Sequence, residues 1–306
     1  MPDFIAVDEI NSQVMTSENN IKTQLNGVKD DNKKNFIINA ILAEDSNLND
    51  WGFKQNGIGN AINDAFYLNS SILANCNTVN EIANNTSAIS AILTNYKATL
   101  ICSKNLTLAA KLTDEIKLSA GYGYVFFNVG DIVTLKYNGT NTSFRVVRKS
   151  NNKITLLSEK LVTSQVWNSN GRNNYTTSSI RSYLNSTVLS GFSQAIQSAI
   201  IAPALSCHDY TTAKTVNDKI WLPSFTEMGY PSNSYAPVEG SAFEYFADNN
   251  NSKRIKSYSN GSNSWWWLRT PYTSSSSRAW DVSDDGNQGN SGVTYSSGGV
   301  AFAFLI

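Results

Sequence analysis

The sequence predicts an α+β protein with an N-terminal helical stalk and a C-terminal head of strands and short helices. Residues 1–98 repeat apolar side chains every seven positions, which is typical of helices that bury a seam against another helix. Residues 128–306 carry short apolar runs bounded by Gly, Pro and Asn, which is typical of strands and turns. A length of 306 residues leaves room for both parts.

The composition argues against several classes of partner. The formal net charge is +0, and 16% of the residues are charged, compared with an average of about 25% in soluble globular domains. Because no basic stripe is present we expect no nucleic acid, and because no apolar run approaches about 18 residues we expect no membrane insertion. The cysteines (Cys76, Cys102 and Cys207) are odd in number and far apart, so we expect buried free thiols.

Two heptad registers define the predicted stalk. The first places Val7, Val14, Ile21 and Val28 at one position. The second places Ile72, Val79, Thr86 and Leu93 at one position and Ile82, Ile89 and Tyr96 at its companion. Such a seam needs a partner helix, so we expect a homo-oligomer, with a trimer as the leading number. The alternative is an intramolecular helical hairpin that bends between Asp50 and Gly59.

Residues 99–127 predict a β-rich connector between the stalk and the head. Apolar residues alternate loosely with polar ones here, and Gly121-Tyr122-Gly123 breaks the run. The alternating residues are Leu106, Leu108, Leu112, Ile116 and Leu118.

The head begins near Asn128 with a predicted three-stranded antiparallel meander. We expect its strands over 129–135, 144–148 and 153–157. Asn138-Gly139 is a strong signal for a tight hairpin turn, and Asn151-Asn152 predicts the second turn.

Two helices and an irregular region follow the meander. Thr177–Leu184 predicts a helix with a Ser or Thr N-cap, and Phe192–Ile201 predicts a second helix with a 3.6-residue period. Ile220–Trp221 predicts a short strand. Residues 229–262 are rich in Asn and Ser and predict an irregular region with one short helix near 243–247.

The stretch from Trp265 to Ile306 carries the strongest functional pattern. Its two ends are apolar and bounded by Pro and Gly, which predicts buried strands, the last of them inserted into a sheet. Its middle consists largely of Ser, Asn, Asp, Gly, Tyr and Trp. This composition is typical of recognition surfaces, because rigid aromatic rings supply contact area and small polar groups supply adaptable hydrogen bonds.

Several short motifs occur in an order that resembles a known domain. They are Ile180-Arg181-x-Tyr183-Leu184-Asn185, Ile220-Trp221-Leu222-Pro223-Ser224-x-x-Glu227, Trp267-Leu268-Arg269-Thr270-Pro271, Trp280-x-Val282, Asp285-Gly286 and Gly299-Val300-x-x-Ala303-Phe304. The domain is common in Gram-positive bacteria and their phages and is usually marked by WLRSP and a terminal GVRPAF. The resemblance covers residues 128–306. It departs at Ala301-Phe302, where the family tends to have Arg-Pro, so that the contact of that arginine is absent or replaced here.

This domain resembles the C-type-lectin-like fold of formylglycine-generating enzymes and of the variable proteins of diversity-generating retroelements. The resemblance implies a receptor-binding head of a phage tail or a tail-like particle, with a host cell-surface glycan or protein as its partner. The N-terminal part would then join tail or baseplate proteins, and the virion is the expected location. Met1-Pro2-Asp3-Phe4 lacks the features of a signal peptide, so we expect synthesis in the bacterial cytoplasm. The alternatives are a structural baseplate subunit and a glycan-acting depolymerase or formylglycine-type oxidase.

The variable proteins place their ligand-binding residues in the last stretch, which by position is Tyr272–Tyr295 here. The expected binding residues are Tyr272, Ser274, Ser276, Arg278, Trp280, Asp281, Ser283, Asp284, Asn287, Asn290 and Tyr295. Strand alternation leaves one question open, because Trp280 can be an inward-facing strand residue. In that case Asp281 and Ser283 point outward.

Other motifs favour structural roles, and we expect no catalytic residue, no cofactor and no metal. Trp267 and Arg269 are expected to be buried, with Arg269 bound to backbone carbonyls. The segment Asp281–Asn287 follows half of a calcium loop but lacks the closing Glu, so a hairpin turn at Asp285-Gly286 is the simpler interpretation. Cys207-His208 are neighbours in sequence, which rarely form a nucleophile pair. A depolymerase would draw its carboxylates from Glu227, Glu239, Glu244 and Asp284.

Overall fold

The computed structural model describes residues 57–306. The chain divides into two compact units, residues 1–120 and 121–306. The first heptad register, Val7 to Val28, and residues 50–56 of the predicted bend lie outside the described residues.

The described part of the first unit is a series of short helices. They are α1 (Ile58–Phe66), α2 (Ser71–Ala74), α3 (Val79–Ala83), α4 (Thr86–Ile92), α5 (Tyr96–Cys102), α6 (Leu106–Ala109) and α7 (Asp114–Ser119). Helices α1 to α6 contribute to one hydrophobic cluster that runs from Ile58 to Leu112. None of the helices described in residues 57–306 is long and apolar enough to cross a bilayer.

A ten-residue repeat organises α4 to α6. Asn85, Asn95 and Asn105 each stand at an N-cap, where the side-chain oxygen accepts hydrogen bonds from two backbone N–H groups of the next turn. The buried residues recur at the same interval: Ala88, Ala98 and Leu108 in one row, and Ile82, Ile92, Cys102 and Leu112 in another, all 0% exposed. Each cap therefore starts a new helix that adds one layer to the core.

These caps overturn two expectations for this region. The second heptad register does not form one continuous helix, because its positions fall on α2, α3, α4 and α5 and on the turns between them. Val79, Ile82 and Ile89 are buried, but Ile72 and Tyr96 are 46% and 42% exposed. Residues 99–127 contain no strand and form helices α5 to α7 together with α8 (Gly123–Phe126) instead of a β-rich connector.

The second unit is built on three sheets. Its strands are β1 (Ile132–Tyr137), β2 (Thr140–Ser150), β3 (Lys153–Ser158), β4 (Thr163–Ser164), β5 (Ala204–Asp209), β6 (Thr212–Asn217), β7 (Ile220–Trp221), β8 (Trp266–Pro271), β9 (Arg278–Val282), β10 (Gln288–Gly292), β11 (Gly299–Val300) and β12 (Ala303–Leu305). Sheet A has the order β1-β2-β3-β12-β7, sheet B has the order β10-β9-β8-β11-β4, and sheet C is the β5-β6 hairpin. The α+β prediction is therefore confirmed.

The predicted meander forms the first half of sheet A. β1, β2 and β3 pair antiparallel in sequence order. Asn138 and Gly139 join β1 to β2 with φ of 48° and 75°, and Asn151 and Asn152 join β2 to β3 with φ of 51° and 57°. Both turns use the left-handed backbone region that Asn and Gly tolerate and that two-residue hairpins require.

The helices of the second unit also lie close to their predicted positions. α9 (Ser179–Tyr183) begins at the N-cap Ser178 and continues as a π-helical turn over Leu184–Val188, and α10 (Gln194–Ala199) begins at the N-cap Ser193. Residues 229–262 are irregular apart from two 3-10 turns, Glu244–Phe246 and Asn251–Lys253. The β5-β6 hairpin lies between these regions and was not predicted.

The segment 299–305 supplies an interior strand to each of the two large sheets. β11 lies between β8 and β4, and β12 lies between β3 and β7, which confirms that the last strand is inserted into a sheet. Phe302 stands where the family that the sequence resembles tends to have Pro. It is 0% exposed, and its ring lies 5.6 to 6.0 Å from those of Tyr137, Phe144 and Phe192. At Ala301-Phe302, where the sequence departs from the pattern it resembles, the chain thus forms an aromatic core contact.

Candidate functional site

The motif residues of the second unit form a buried ion-pair cluster. Arg269 in β8 is fully buried, and its guanidinium donates to both carboxylate oxygens of Glu227, at 2.6 and 2.9 Å. It also donates to the backbone oxygens of Leu222 and Ser206. The backbone contacts agree with the structural role predicted for Arg269, and the bidentate pair adds an ion pair that the sequence did not reveal.

Glu239 extends this cluster toward the single histidine. One carboxylate oxygen accepts a hydrogen bond from Thr270 Oγ1 at 2.6 Å and lies 3.7 Å from Arg269 Nε. The other lies 3.1 Å from His208 Nδ1. Glu227 and Glu239 are 4% and 0% exposed, so both carboxylates are taken up by protein groups.

The first motif holds the second one in place. Asn185 accepts hydrogen bonds from the backbone N–H groups of Lys219 and Ile220 and donates to Ile220 O at 2.9 Å. Arg181 forms a salt bridge with Asp218 at 2.8 Å. These contacts fix the entry to β7, so the motif residues act as a scaffold.

Cys207 lies beside the cluster and does not have the properties of a nucleophile. It is 0% exposed, and burial, assisted by the charge of Glu239, raises the pKa of its thiol to about 12. The thiol is therefore protonated at neutral pH, whereas the thiolate is the reactive form.

The predicted binding stretch forms a three-stranded ribbon, β8-β9-β10, in sheet B. Trp267, Asp281 and Gly289 are register neighbours across these strands and therefore share one face. By the same alternation Arg278 and Trp280 belong to the opposite face, whereas Asn290, which pairs with Trp280, stands in the edge strand β10 and borders both faces. The two faces differ sharply in chemistry.

The face that carries Trp280 is aromatic and closed. Trp280 is 4% exposed, its Nε1 donates to Tyr235 O at 3.0 Å, and its ring lies 4.6 Å from Phe225 and 5.2 Å from Tyr272. The structure therefore favours the inward interpretation of Trp280, which supports the ribbon from behind instead of contacting a ligand.

The opposite face of the ribbon floors a polar cleft of about 410 Å³. This volume lies within the range of about 300–1,000 Å³ that is typical of small-molecule sites. The residues that line the cleft are Asn263, Ser264, Trp265, Asp281, Ser283, Asp284, Gly289, Asn290 and Ser291. Four of them, Asp281, Ser283, Asp284 and Asn290, belong to the predicted binding set.

Asp281 is the unusual group in this cleft. It is 3% exposed, and its Oδ2 has no hydrogen-bond partner among residues 57–306. Burial raises the pKa of Asp281 to about 6, although a hydrogen bond with Ser291 and the charge of Arg278 lower it. Gly289 lies directly across the strand pair, and a Cβ there would overlap with Asp281 Oδ1. The absence of a side chain at Gly289 thus leaves room for the carboxylate.

The remaining predicted binding residues do not join the cleft. Arg278 bonds to Asn290 Oδ1 at 2.6 Å, and Ser276 accepts a hydrogen bond from Arg172 at 3.0 Å. Asn287 donates to Asp285 within the hairpin turn. The others, Ser274, Tyr272 and Tyr295, are surface residues, with Tyr272 packed 5.4 Å from Tyr235 and Tyr295 57% exposed.

The hairpin interpretation of the calcium-like segment agrees with the structure. Ser283 and Asn287 close the β9-β10 turn through a backbone hydrogen bond of 2.8 Å, and Gly286 adopts a φ of 82°. Hydrogen bonds from the backbone and side chain of Asn287 hold the pKa of Asp285 below its usual value. Across residues 57–306 no three His, Cys, Asp or Glu side chains come together as a metal site.

Two residues that line the cleft, Trp265 and Gly289, were not predicted from the sequence. Trp265 contributes one wall, and its ring packs edge-to-face against Trp267 with centroids 4.7 Å apart. Period-2 alternation through Trp265, Trp266 and Trp267 contains this signal, because it places the first and third rings on one face. Gly289 carries no such signal, since its role depends on the strand register.

Comparison with known proteins gives one family match. Residues 151–306 match the model of the domain of unknown function DUF6273. No curated protein and no solved structure matches the chain.

Proposed function

Since this chain belongs to the DUF6273 family, we propose that its second unit is a receptor-binding head whose ligand enters the Asp281 cleft. One observation carries the proposal: Asp281, which lines a polar cleft, has a buried carboxylate oxygen without a hydrogen-bond partner among the described residues. Leaving a buried charged group unpaired is costly, and such groups cluster at functional sites. A ligand donor would complete the missing hydrogen bond.

The wider assignment follows the resemblance of the motifs. We infer a C-type-lectin-like head carried by a phage tail or a tail-like particle, and the expected helical stalk and trimer now depend on the first heptad register, Val7 to Val28. The core-forming helices of residues 57–120 support a structural role for that region. Several heads on one particle would gain strength through effective concentration, so one weak cleft would be sufficient for adhesion.

Binding fits the chemistry of the second unit better than catalysis. Its cysteine is buried and protonated, and Glu227 and Glu239 are bonded to Arg269 and Thr270. Of the acids expected for a glycan-cleaving enzyme, these two are therefore held by the scaffold and are not free to flank a glycosidic bond. The Asp281 cleft offers polar groups and an indole, a combination that recognises sugars and polar peptides.

The test is adhesion of the full-length protein to intact Gram-positive cells, measured for the native chain and for Trp265→Leu. Trp265 forms a wall of the cleft, so its truncation should weaken binding by about tenfold, as for an aromatic contact residue at a binding site. Tyr295→Ala is the matched control, because it removes an exposed aromatic ring outside the cleft and should change binding less than about twofold.

The possible outcomes separate the alternatives. Loss of binding in Tyr295→Ala but not in Trp265→Leu would move the site to the outer part of the predicted stretch. Absence of binding by the native protein to every strain tested would favour a structural baseplate subunit over an adhesin. Thermal unfolding of both variants shows whether a loss reflects the cleft or the fold.

A further inference from the structure

We propose that the Asp281 cleft recognises an ammonium group, such as the amine of an aminosugar or of an aminated cell-wall polymer. The inference rests on the proposed function and adds the chemical class of the ligand. It is carried by the charge of the cleft, by the unpartnered oxygen of Asp281 and by the indole of Trp265.

The cleft is acidic on every side that carries charge. Asp281 and Asp284 contribute two carboxylates, and no Lys, Arg or His is among the residues described as lining it. Two carboxylates that form no salt bridge among the described residues attract a cation and repel an anion. The ligand is therefore expected to carry a positive charge.

The neighbouring cation, Arg278, is not among the residues that line the cleft. Arg278 acts electrostatically on Asp281, but strand alternation assigns it to the opposite face of the ribbon. Its guanidinium is bonded to the side chain and the backbone oxygen of Asn290, a residue at the border of the cleft, and forms no salt bridge with Asp281. The carboxylate of Asp281 is thus left without an ion-pair partner although an arginine lies in the same strand.

The missing partner of Asp281 is a hydrogen-bond donor. Oδ2 is a buried acceptor of a residue that lines the cleft, and a charged donor forms the strongest bond with an ionised carboxylate. An ammonium group brings three donors on one compact charge. Ser283 and Ser291 line the same cleft and offer hydroxyl oxygens as further acceptors.

Trp265 favours an organic cation over a metal ion. An indole attracts ammonium groups through its ring electrons, which adds about 0.5–2 kcal/mol in known cases. Calcium prefers six to eight oxygen ligands gathered around one ion, whereas the described residues hold no group of three His, Cys, Asp or Glu side chains that could bind a metal, and the cleft is far larger than one ion. The volume of about 410 Å³ leaves room for the sugar or polymer that carries the amine.

The first arm of the test uses a defined probe. N-acetylglucosamine differs from glucosamine by an acetyl group, which converts the charged amine into a neutral amide. Binding of both sugars to the full-length protein is measured by calorimetry with EDTA present. We expect glucosamine to bind at least about tenfold more tightly, which corresponds to one charge-assisted hydrogen bond. Asp281→Asn should remove this preference, whereas Asp285→Asn, which neutralises an exposed carboxylate of the same hairpin, should keep it within about twofold.

Equal affinity for the two sugars would overturn the inference, as would a preference that survives Asp281→Asn. Binding that appears only when calcium replaces EDTA would also overturn it, because a metal site would then account for the carboxylates.

The second arm separates this inference from the proposed function. Cells are treated with acetic anhydride to acetylate their surface amines, and adhesion of the full-length protein is compared before and after treatment. We expect adhesion to fall by about tenfold. Adhesion that persists on acetylated cells but still depends on Trp265 would leave the receptor-binding proposal standing and remove the ammonium group. If the protein prefers glucosamine but adheres to no cell, the recognition of an ammonium group stands and the receptor-binding proposal falls.

Discussion

Two buried carboxylates in the second unit differ in whether the protein supplies hydrogen-bond partners for both of their oxygens. Glu227 is bound by both arms of the Arg269 guanidinium and accepts the backbone N–H of Ser224. Asp281 is equally buried, at 3% against 4% exposure, yet one of its oxygens has no partner among the described residues. The first carboxylate is part of the scaffold and the second lines a cleft.

The difference shows how to tell structural from functional acids in an unfamiliar fold. Burial alone does not separate them, because both groups have lost their water. What separates them is whether the protein itself supplies the compensating charge. A buried acid that the fold leaves incomplete destabilises the native state, and such a cost points to a role outside stability.

The largest expected effect comes from breaking the satisfied pair. Arg269→Met should destabilise the protein by about 3–5 kcal/mol, because it leaves Glu227 buried without a counter-charge. Denaturant unfolding of the full-length protein measures this loss. The double variant Arg269→Met with Glu227→Gln should recover a large part of the stability, since it removes the orphaned charge. If the double variant is no more stable than the single one, the ion pair is not the source of the effect.

Asp281→Asn should increase the stability of the protein, whereas Arg269→Met decreases it. The pKa of Asp281 is raised from 3.8 to about 6, so folding favours its protonated form. The contribution of Asp281 to stability is fully present below pH 3.8 and is lost as the pH rises through about 6. The neutral variant should therefore be more stable than the native protein by about 2 kcal/mol near pH 8 and no more stable at about pH 3.

Thermal unfolding over this pH range measures the gap between the two proteins. A variant that is less stable at about pH 8 would show that Asp281 is satisfied and structural, and the comparison with Glu227 would fail.

A smaller effect is expected at the edge of the satisfied cluster. Thr270→Val keeps the shape of the side chain but removes the hydroxyl that donates to Glu239 and accepts from the backbone N–H of Phe225. We expect a loss of about 1–3 kcal/mol, because two buried polar groups lose a partner. Thr270→Ser restores the hydroxyl and should regain most of the stability, whereas a Ser variant as unstable as the Val variant would assign the effect to the lost methyl group.

The sequence predicted those parts of the fold that short segments decide. Asn138-Gly139 and Asn151-Asn152 specify their hairpins because Asn and Gly tolerate positive φ. Helices α9 and α10 follow from Ser caps and apolar spacing. The burial of Trp267 and Arg269 follows from the position of their apolar strand.

The helical region shows where periodicity alone misled. A seven-residue and a ten-residue spacing both run through Val79, Ile82 and Ile89, and the heptad was the familiar choice. The deciding signal was local: Asn85, Asn95 and Asn105 bind the backbone of the next turn and so interrupt any long helix. The cleft was only half predicted, because the pairing of Asp281 with Gly289 and the wall formed by Trp265 depend on tertiary register.

The placement of β11 and β12 has a consequence for how the protein is made. Both large sheets receive an interior strand from residues 299–305, although β3 and β4 are synthesised well over a hundred residues earlier. During translation, neither sheet can be completed until that segment has left the ribosome. Until then, the backbone groups of β3, β7, β8 and β4 that pair with β11 and β12 have no partner strand. Folding of this unit must therefore follow its synthesis, and a ribosome that stops short of residue 299 releases a chain with both sheets incomplete.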